Sequence, residues 1–170
     1  MTTPEAAAAP ARLRAPANLV SRRARAYWAV RALPLWVVVA AAEVVVLLAT
    51  DASATAVTTV VAVSAAVALA HLLVMPQWRY RVHRWELTET AVYTQAGWFR
   101  QERRIAPITR IQTVDTVRGP IEQLFGLANV TVTTASARGP ILVHALDLAV
   151  AERLVATLTD RAQLDGGDGT

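Results

Sequence analysis

The chain has 170 residues, 54% of them apolar, and a formal net charge of +4. That length holds one ordinary globular domain plus a short accessory region, and excludes two full domains. Cysteine is absent, which excludes a disulfide framework, a thiolate nucleophile and any Cys-ligated zinc or iron–sulfur site. All 17 basic residues are arginine, and with the high Ala and Val content this reads as GC-rich bacterial coding rather than a particular chemistry.

Residues 1–26 are rich in Ala, Pro and Arg and poor in aromatic residues, a composition that predicts a disordered tail. Its arginines could rest on anionic lipid or act only as a topology signal. From Leu33 to Thr50 only Glu43 is charged, and from Ala54 to Met75 there is no Asp, Glu, Lys or Arg. At 1.5 Å per residue these runs extend roughly 27 and 33 Å, against a hydrocarbon core of about 30 Å. The intervening Asp51-Ala52-Ser53 leaves room for a tight turn, so residues 27–77 are expected to form a transmembrane helical hairpin (33–50 and 54–75).

Arg12, Arg14, Arg22, Arg23, Arg25 and Arg31 precede the first run and Arg79, Arg81 and Arg84 follow the second, with none between. The positive-inside rule then expects a two-span protein of the bacterial cell membrane with both termini in the cytoplasm. Trp28, Trp36, Trp78 and Tyr80 fall where aromatic rings favour the headgroup level. Ala54, Thr58, Ala62, Ala66 and Ala70 recur every fourth residue, a small-residue stripe whose expected partner is the first helix, or else a second copy. Glu43 lies about 12 Å from the turn, where a bare carboxylate on lipid is costly. A polar contact inside the membrane, with the stretch Thr59 to Ser64 at similar depth, is expected in preference to a proton or ion pathway.

Beyond the helices, short β-branched and aromatic runs broken by turn signals predict about six antiparallel strands. They are Arg79 to Thr88, Ala91 to Ala96, Phe99 to Ala106, Arg110 to Val117, Leu127 to Ala135 and Pro140 to Ala145. Gly97-Trp98 and Arg138-Gly139-Pro140 mark turns. Gly119 to Gly126 reads as one helical turn with Pro120 near its start and Gly at its end. Its Ile121, Leu124 and Phe125 are expected to pack on the sheet. Asp147 is a plausible N-cap for a closing amphipathic helix with Val150, Leu154, Val155 and Leu158 at helical spacing to about Gln163, and residues 165–170 read as a disordered tail. A bent antiparallel sheet plugged by that helix, with Val130, Val132 and Thr134 on its inner face, is the arrangement implied.

These residues resemble the bacterial pleckstrin-homology (PH) domain of the YdbS-like membrane proteins. The resemblance covers Trp78 to about Arg161. It rests on Tyr80-Arg81-Val82, Leu87-Thr88-Glu89, Gly97, the stretch Arg104 to Val114 with its Ile111-Gln112 pair, and Gly119 to Val130 with its Phe125-Gly126-Leu127-Ala128 run. Arg118 stands where the family more often has Gln. The resemblance implies a membrane α-helical hairpin plus an α+β domain over residues 78–164, a split antiparallel β-barrel of about seven strands capped by a C-terminal helix. It hands over no catalytic, cofactor or metal residue.

Arg79, Arg81 and Arg84 on a juxtamembrane strand, with Arg100, Arg103 and Arg104, could form a lipid-facing basic face. They could equally be solvated partners of Glu86, Glu89 and Glu102 that guard strand edges. His83 and His144 read as ordinary strand residues, since no carboxylate spacing around them resembles a metal site or catalytic pair. No nucleophile elbow or phosphate-cradling loop is present, Asn129-Val130-Thr131 is a chance glycosylation match, and nothing beyond positive charge suggests nucleic acid.

The expectation is therefore a non-enzymatic scaffold module at the inner membrane face. It needs no cofactor and no small-molecule substrate, and it binds the bilayer and a protein partner, or assembles as a homo-oligomer. By family organisation that partner could be a larger multi-PH-domain membrane protein. The alternative is a sensor of anionic headgroups, and a transport or enzyme subunit using Glu43 is a third possibility.

Overall fold

The structure, a computed structural model, describes residues 14–98, 100–136 and 139–167. A two-residue strand β1 (Asn18–Leu19) leads into helix α1 (Ala24–Ala49) and its antiparallel partner α2 (Ala54–Val82). Strands β2 (Arg84–Leu87), β3 (Ala91–Gly97) and β4 (Gln101–Pro107) follow, then a 3-10 turn at Ile108–Arg110 and β5 (Ile111–Val117). A short helix α3 (Pro120–Leu124), β6 (Leu127–Thr134), β7 (Ile141–Asp147) and α4 (Leu148–Gly167) complete the chain. The strands form two antiparallel sheets, β1-β2-β3-β4 and β5-β6-β7, the split form of a barrel.

The core of the domain lies between the sheets and α4. Val92, Ile108, Val130, Val132, Leu154 and Leu158 are buried there, with Ile111, Val114 and Val155 packed against them. The alternation of Val130, Val132 and Thr134 puts the two valines at the centre of this core, and burying such a side chain contributes about 1.5–3 kcal/mol.

The helical hairpin has the opposite solvent preference. Both helices are long and apolar enough to span a membrane, and Val37, Val45, Leu48, Val63, Leu69 and Val74 are exposed, which in a span means facing lipid. Inside the hairpin Ser64 Oγ donates to Glu43 Oε2 at 3.0 Å, so the one acid of the apolar run meets a hydroxyl at its own depth.

Several expectations are corrected. Residues 14–26 are not a free tail. β1 pairs with Trp85 and Arg84, and Val20, Ala24, Tyr27 and Trp28 are buried, because α1 starts nine residues before the apolar run and seats its first turns on the domain. Met1 to Leu13, including Arg12, lies outside the described residues. The strand expected from Arg79 begins only at Arg84. Extending an existing helix adds one hydrogen bond per residue fixed, so Trp78-Arg79-Tyr80-Arg81-Val82 continues α2 despite its strand-like alternation. The helix stops at His83, whose backbone N–H donates to the Arg79 carbonyl.

The small-residue stripe of α2 is not the surface that meets α1. Ala54, Thr58, Ala62, Ala66 and Ala70 are exposed, while Val57, Ser64, Ala68 and His71 are half-buried. That face turns to α1 because Ser64 and His71 meet its polar groups, Glu43 and Trp36. In α3, Ile121 and Phe125 pack inward, but Leu124 is 80% exposed and Glu122 is buried, because Glu122 has hydrogen-bond partners below the helix. α4 runs on to Gly167, so the expected tail from Asp165 is helical at its start; residues 168–170, Phe99, Ala137 and Arg138 lie outside the described residues.

Candidate functional site

Two features stand out: a polar joint between the hairpin and the domain, and the sheet edges that the domain presents.

The joint is built on a second apolar cluster, in which Val20, Ala24, Tyr27, Trp28, Met75, Leu127 and Ala145 are buried together. Tyr27 of α1 donates its hydroxyl proton to Glu122 Oε1 at 2.7 Å and accepts from Arg31 at 2.6 Å. Asn129 Nδ2 also donates to Glu122, at 3.3 Å, while Asn129 Oδ1 accepts the Ala145 N–H at 2.8 Å. Burial alone would raise the Glu122 carboxyl, but hydrogen bonds from Tyr27, its own backbone and Asn129, with the Arg31 charge, hold it below the usual carboxylate range. A buried carboxylate with several donors is the arrangement that keeps its charge.

On the other side of Trp28 the Arg79 guanidinium lies over the indole, 4.7 Å from its centroid, a cation–π contact. Its buried Nε has no hydrogen-bond partner among the described residues. His83 Nδ1 is 2.7 Å from the Arg79 carbonyl, and its ring lies 4.9 Å from Trp28 and 5.9 Å from His144. Burial first, with the Arg79 and His144 charges adding to it, lowers His83 to about 4; His144 is lowered by burial and by Arg79 and Arg31. Both imidazoles are therefore neutral at pH 7. Ser21 completes the joint: its Oγ donates to Asp147 Oδ1 at 2.8 Å, and its N–H to the Ala145 carbonyl at 3.0 Å.

The six arginines expected on one basic face are divided. Arg84, Gln95 and Arg103 are cross-strand partners and so share one face of the first sheet; Arg103 Nε donates to Gln95 at 3.0 Å. Arg104 is in register with Thr94 and Trp85, on the opposite face, where it donates to Glu102 at 2.7 Å and to the Pro140 carbonyl at 2.9 Å. Arg79 is in the joint, Arg81 is exposed on the last turn of α2, and Arg100 is exposed beyond β3. On the strand expected from Arg79, Arg79 and Arg81 would have shared one face; the helical continuation keeps both on α2, while Arg103 and Arg104, adjacent on β4, take opposite faces.

The edges differ in protection. β1 is two residues long. β4 carries Glu102, Arg103, Arg104 and Pro107, devices that discourage strand addition. Arg104 and Ser21 both bond to the β7 side of the second sheet, at Pro140 and Ala145. β5 closes the order β5-β6-β7, and its seven residues, Ile-Gln-Thr-Val-Asp-Thr-Val, contain one charge and no proline. Gln112, Thr113, Asp115, Thr116 and Val117 are exposed.

Sequence reading missed the joint. Tyr27, Glu122, Asn129 and Ser21 are scattered over the chain, and the one local signal was an acid in the first turn of a Gly-Pro-initiated helix. No group of three or more His, Asp or Glu able to hold a metal occurs among the described residues.

The chain is 33% identical over 97 residues to the transmembrane protein YdbS of Bacillus subtilis (strain 168). That match covers 57% of this chain, and the chain spans 60% of the length of YdbS. No solved structure matches. The family model described as the bacterial PH domain matches residues 32–162, taking in most of the hairpin and strands β2 to β7. Two apolar spans, two open antiparallel sheets and a C-terminal helix agree with that match, and the chain belongs to the bacterial PH domain family.

Proposed function

We propose that this protein is a non-enzymatic interaction module that holds its PH domain at the cytoplasmic face and binds an extended protein segment along β5. The carrying observation is the unguarded β5 edge: seven residues, one charge, no proline, beside edges that are short, charged or bonded. Strand addition draws affinity from main-chain hydrogen bonds and specificity from alternate side chains. A second copy offers the same edge and is an alternative occupant. Cytoplasmic placement is supported by arginines flanking both spans and missing from the turn.

A photo-crosslinking residue at Gln112 or Thr116 of the full-length protein tests this in cells. A discrete product from these positions, and not from Thr159 on α4, is expected; a product of twice the chain mass identifies self-assembly. Along an edge strand alternate N–H groups point outward, so one of the neighbouring variants Thr116→Pro and Val117→Pro spares the β5–β6 ladder. That variant should fold and lose the product. Equal crosslinking from Thr159, or a product unaffected by both prolines, overturns the reading.

A second reading, recognition of anionic headgroups, is supported by the arginine excess at the joint. Arg25, Arg31, Arg79 and Arg81 lie at the domain ends of the two spans, with Glu122 the carboxylate tied into the network. Basic residues near anionic lipid each contribute about 1 kcal/mol, and such binding weakens as salt rises. Retention of phosphatidylglycerol by the purified protein, lost at high salt and in Arg31→Gln/Arg81→Gln, is the expected outcome.

A further inference from the structure

The turn after β3 reaches back to the helical hairpin. The Trp98 carbonyl accepts from Trp78 Nε1 at 3.2 Å, and the Trp98 and His71 ring centroids are 5.8 Å apart. His71 in turn accepts at Nδ1 from Trp36 Nε1 at 3.0 Å, with those centroids also 5.8 Å apart. Trp36, His71 and Trp98 thus line up across α1, α2 and the β3–β4 hairpin.

The depth of this line follows from the helix. His71 precedes Met75, the end of the apolar run, by four residues, about 6 Å along the axis. A side chain packed beside His71 therefore lies within about 6 Å of the end of the hydrocarbon when α2 spans the bilayer. Trp98 is still 36% exposed and Trp78 is 48% exposed with both helices in place, so the protein leaves part of each ring for another medium. An indole with an apolar body and a polar N–H is suited to the boundary between headgroups and acyl chains, and Arg100, exposed two residues on, is suited to phosphates.

We infer that the β3–β4 hairpin contacts the bilayer directly, with Trp98 seated in the headgroup–acyl boundary beside α2. The occupant of this surface is lipid, because the surface continues the lipid-facing side of a spanning helix. Two contacts, the joint and this tip, fix the tilt of the domain over the membrane, which one covalent tether could not do.

The absence of cysteine makes the test direct. Single-cysteine variants Trp98→Cys and Thr109→Cys of the full-length protein are spin-labelled in phosphatidylcholine–phosphatidylglycerol nanodiscs, and label accessibility to oxygen and to a neutral nickel chelate is compared. Thr109 follows β4 at the end away from the tip, about 23 Å along a seven-residue strand. Accessibility favouring oxygen at position 98 and nickel at position 109 is expected. Nickel-favouring values at both overturn the inference. Should Trp98→Cys misfold, quenching by lipids brominated near the headgroup end is compared between the unaltered protein and Trp98→Phe. A quenched component lost with Trp98 supports the contact, and identical quenching in both proteins overturns it.

Discussion

The two apolar clusters do different work. The cluster between the sheets and α4 ties both sheets to the closing helix and is what lets the domain fold. The cluster at the joint draws on the N-terminal segment, both helices, β6 and β7 and is bordered by hydrogen-bonded polar groups: Tyr27 with Glu122 and Ser21 with Asp147. Apolar burial is non-directional, so it consolidates a domain but does not by itself orient one on a helix. Directional bonds at the joint supply the orientation, and the contrast teaches that folding and placement of this domain rest on separable interactions.

Breaking the first cluster should have the largest effect. Leu158→Ala, at a fully buried site, should cost about 3 kcal/mol, read as a lowered melting temperature of the domain, with hairpin helicity retained in circular dichroism. Loss of both together would show the clusters to be one unit.

Acid should act next, and through the joint. His83 is lowered to about 4, so between about pH 6.5 and 4 the unfolded chain binds a proton that the folded protein refuses. Stability is therefore complete above about pH 6.5 and falls as pH drops toward 4, by about 2 kcal/mol at pH 5. Thermal melts of detergent-solubilised protein at pH 7 and 5 measure this, and His83→Gln should flatten the difference.

Tyr27→Phe removes the hydroxyl shared by Glu122 and Arg31 at a cost of about 1.5 kcal/mol. If placement is separable from folding, spin-label distances between α1 and α4 should broaden while the melting of the sheet core changes little. The smallest effect belongs inside the membrane: Ser64→Ala deletes the Glu43 contact and should cost about 0.6 kcal/mol, read by steric-trap or denaturant unfolding in bicelles.

Much of this organisation was legible in order along the chain. The spans follow from two apolar runs, and β3 to β7 from period-two runs between turn residues, because lipid and a sheet core each impose a pattern on consecutive residues. Where the pattern was ambiguous, at Trp78 to Val82, the sequence reading chose a strand and the helix prevailed through continuity with the span. Where composition was uninformative, at residues 14–28, burial of Val20, Tyr27 and Trp28 was invisible because their partners are distant in sequence, Trp28 meeting Arg79 and His83 and Tyr27 meeting Glu122.

By itself, then, the sequence determined a two-helix anchor, a β-rich domain with its closing helix, and Glu43 at a depth where Ser64 could meet it. These depend on local periodicity and on distance along a helix. Only the tertiary structure decided which face of α2 meets α1, that six arginines fall on different surfaces, that Tyr27, Glu122 and Asn129 converge, and that β5 is the unguarded edge. Each of those depends on register and on contacts between residues distant in sequence, which no local pattern encodes.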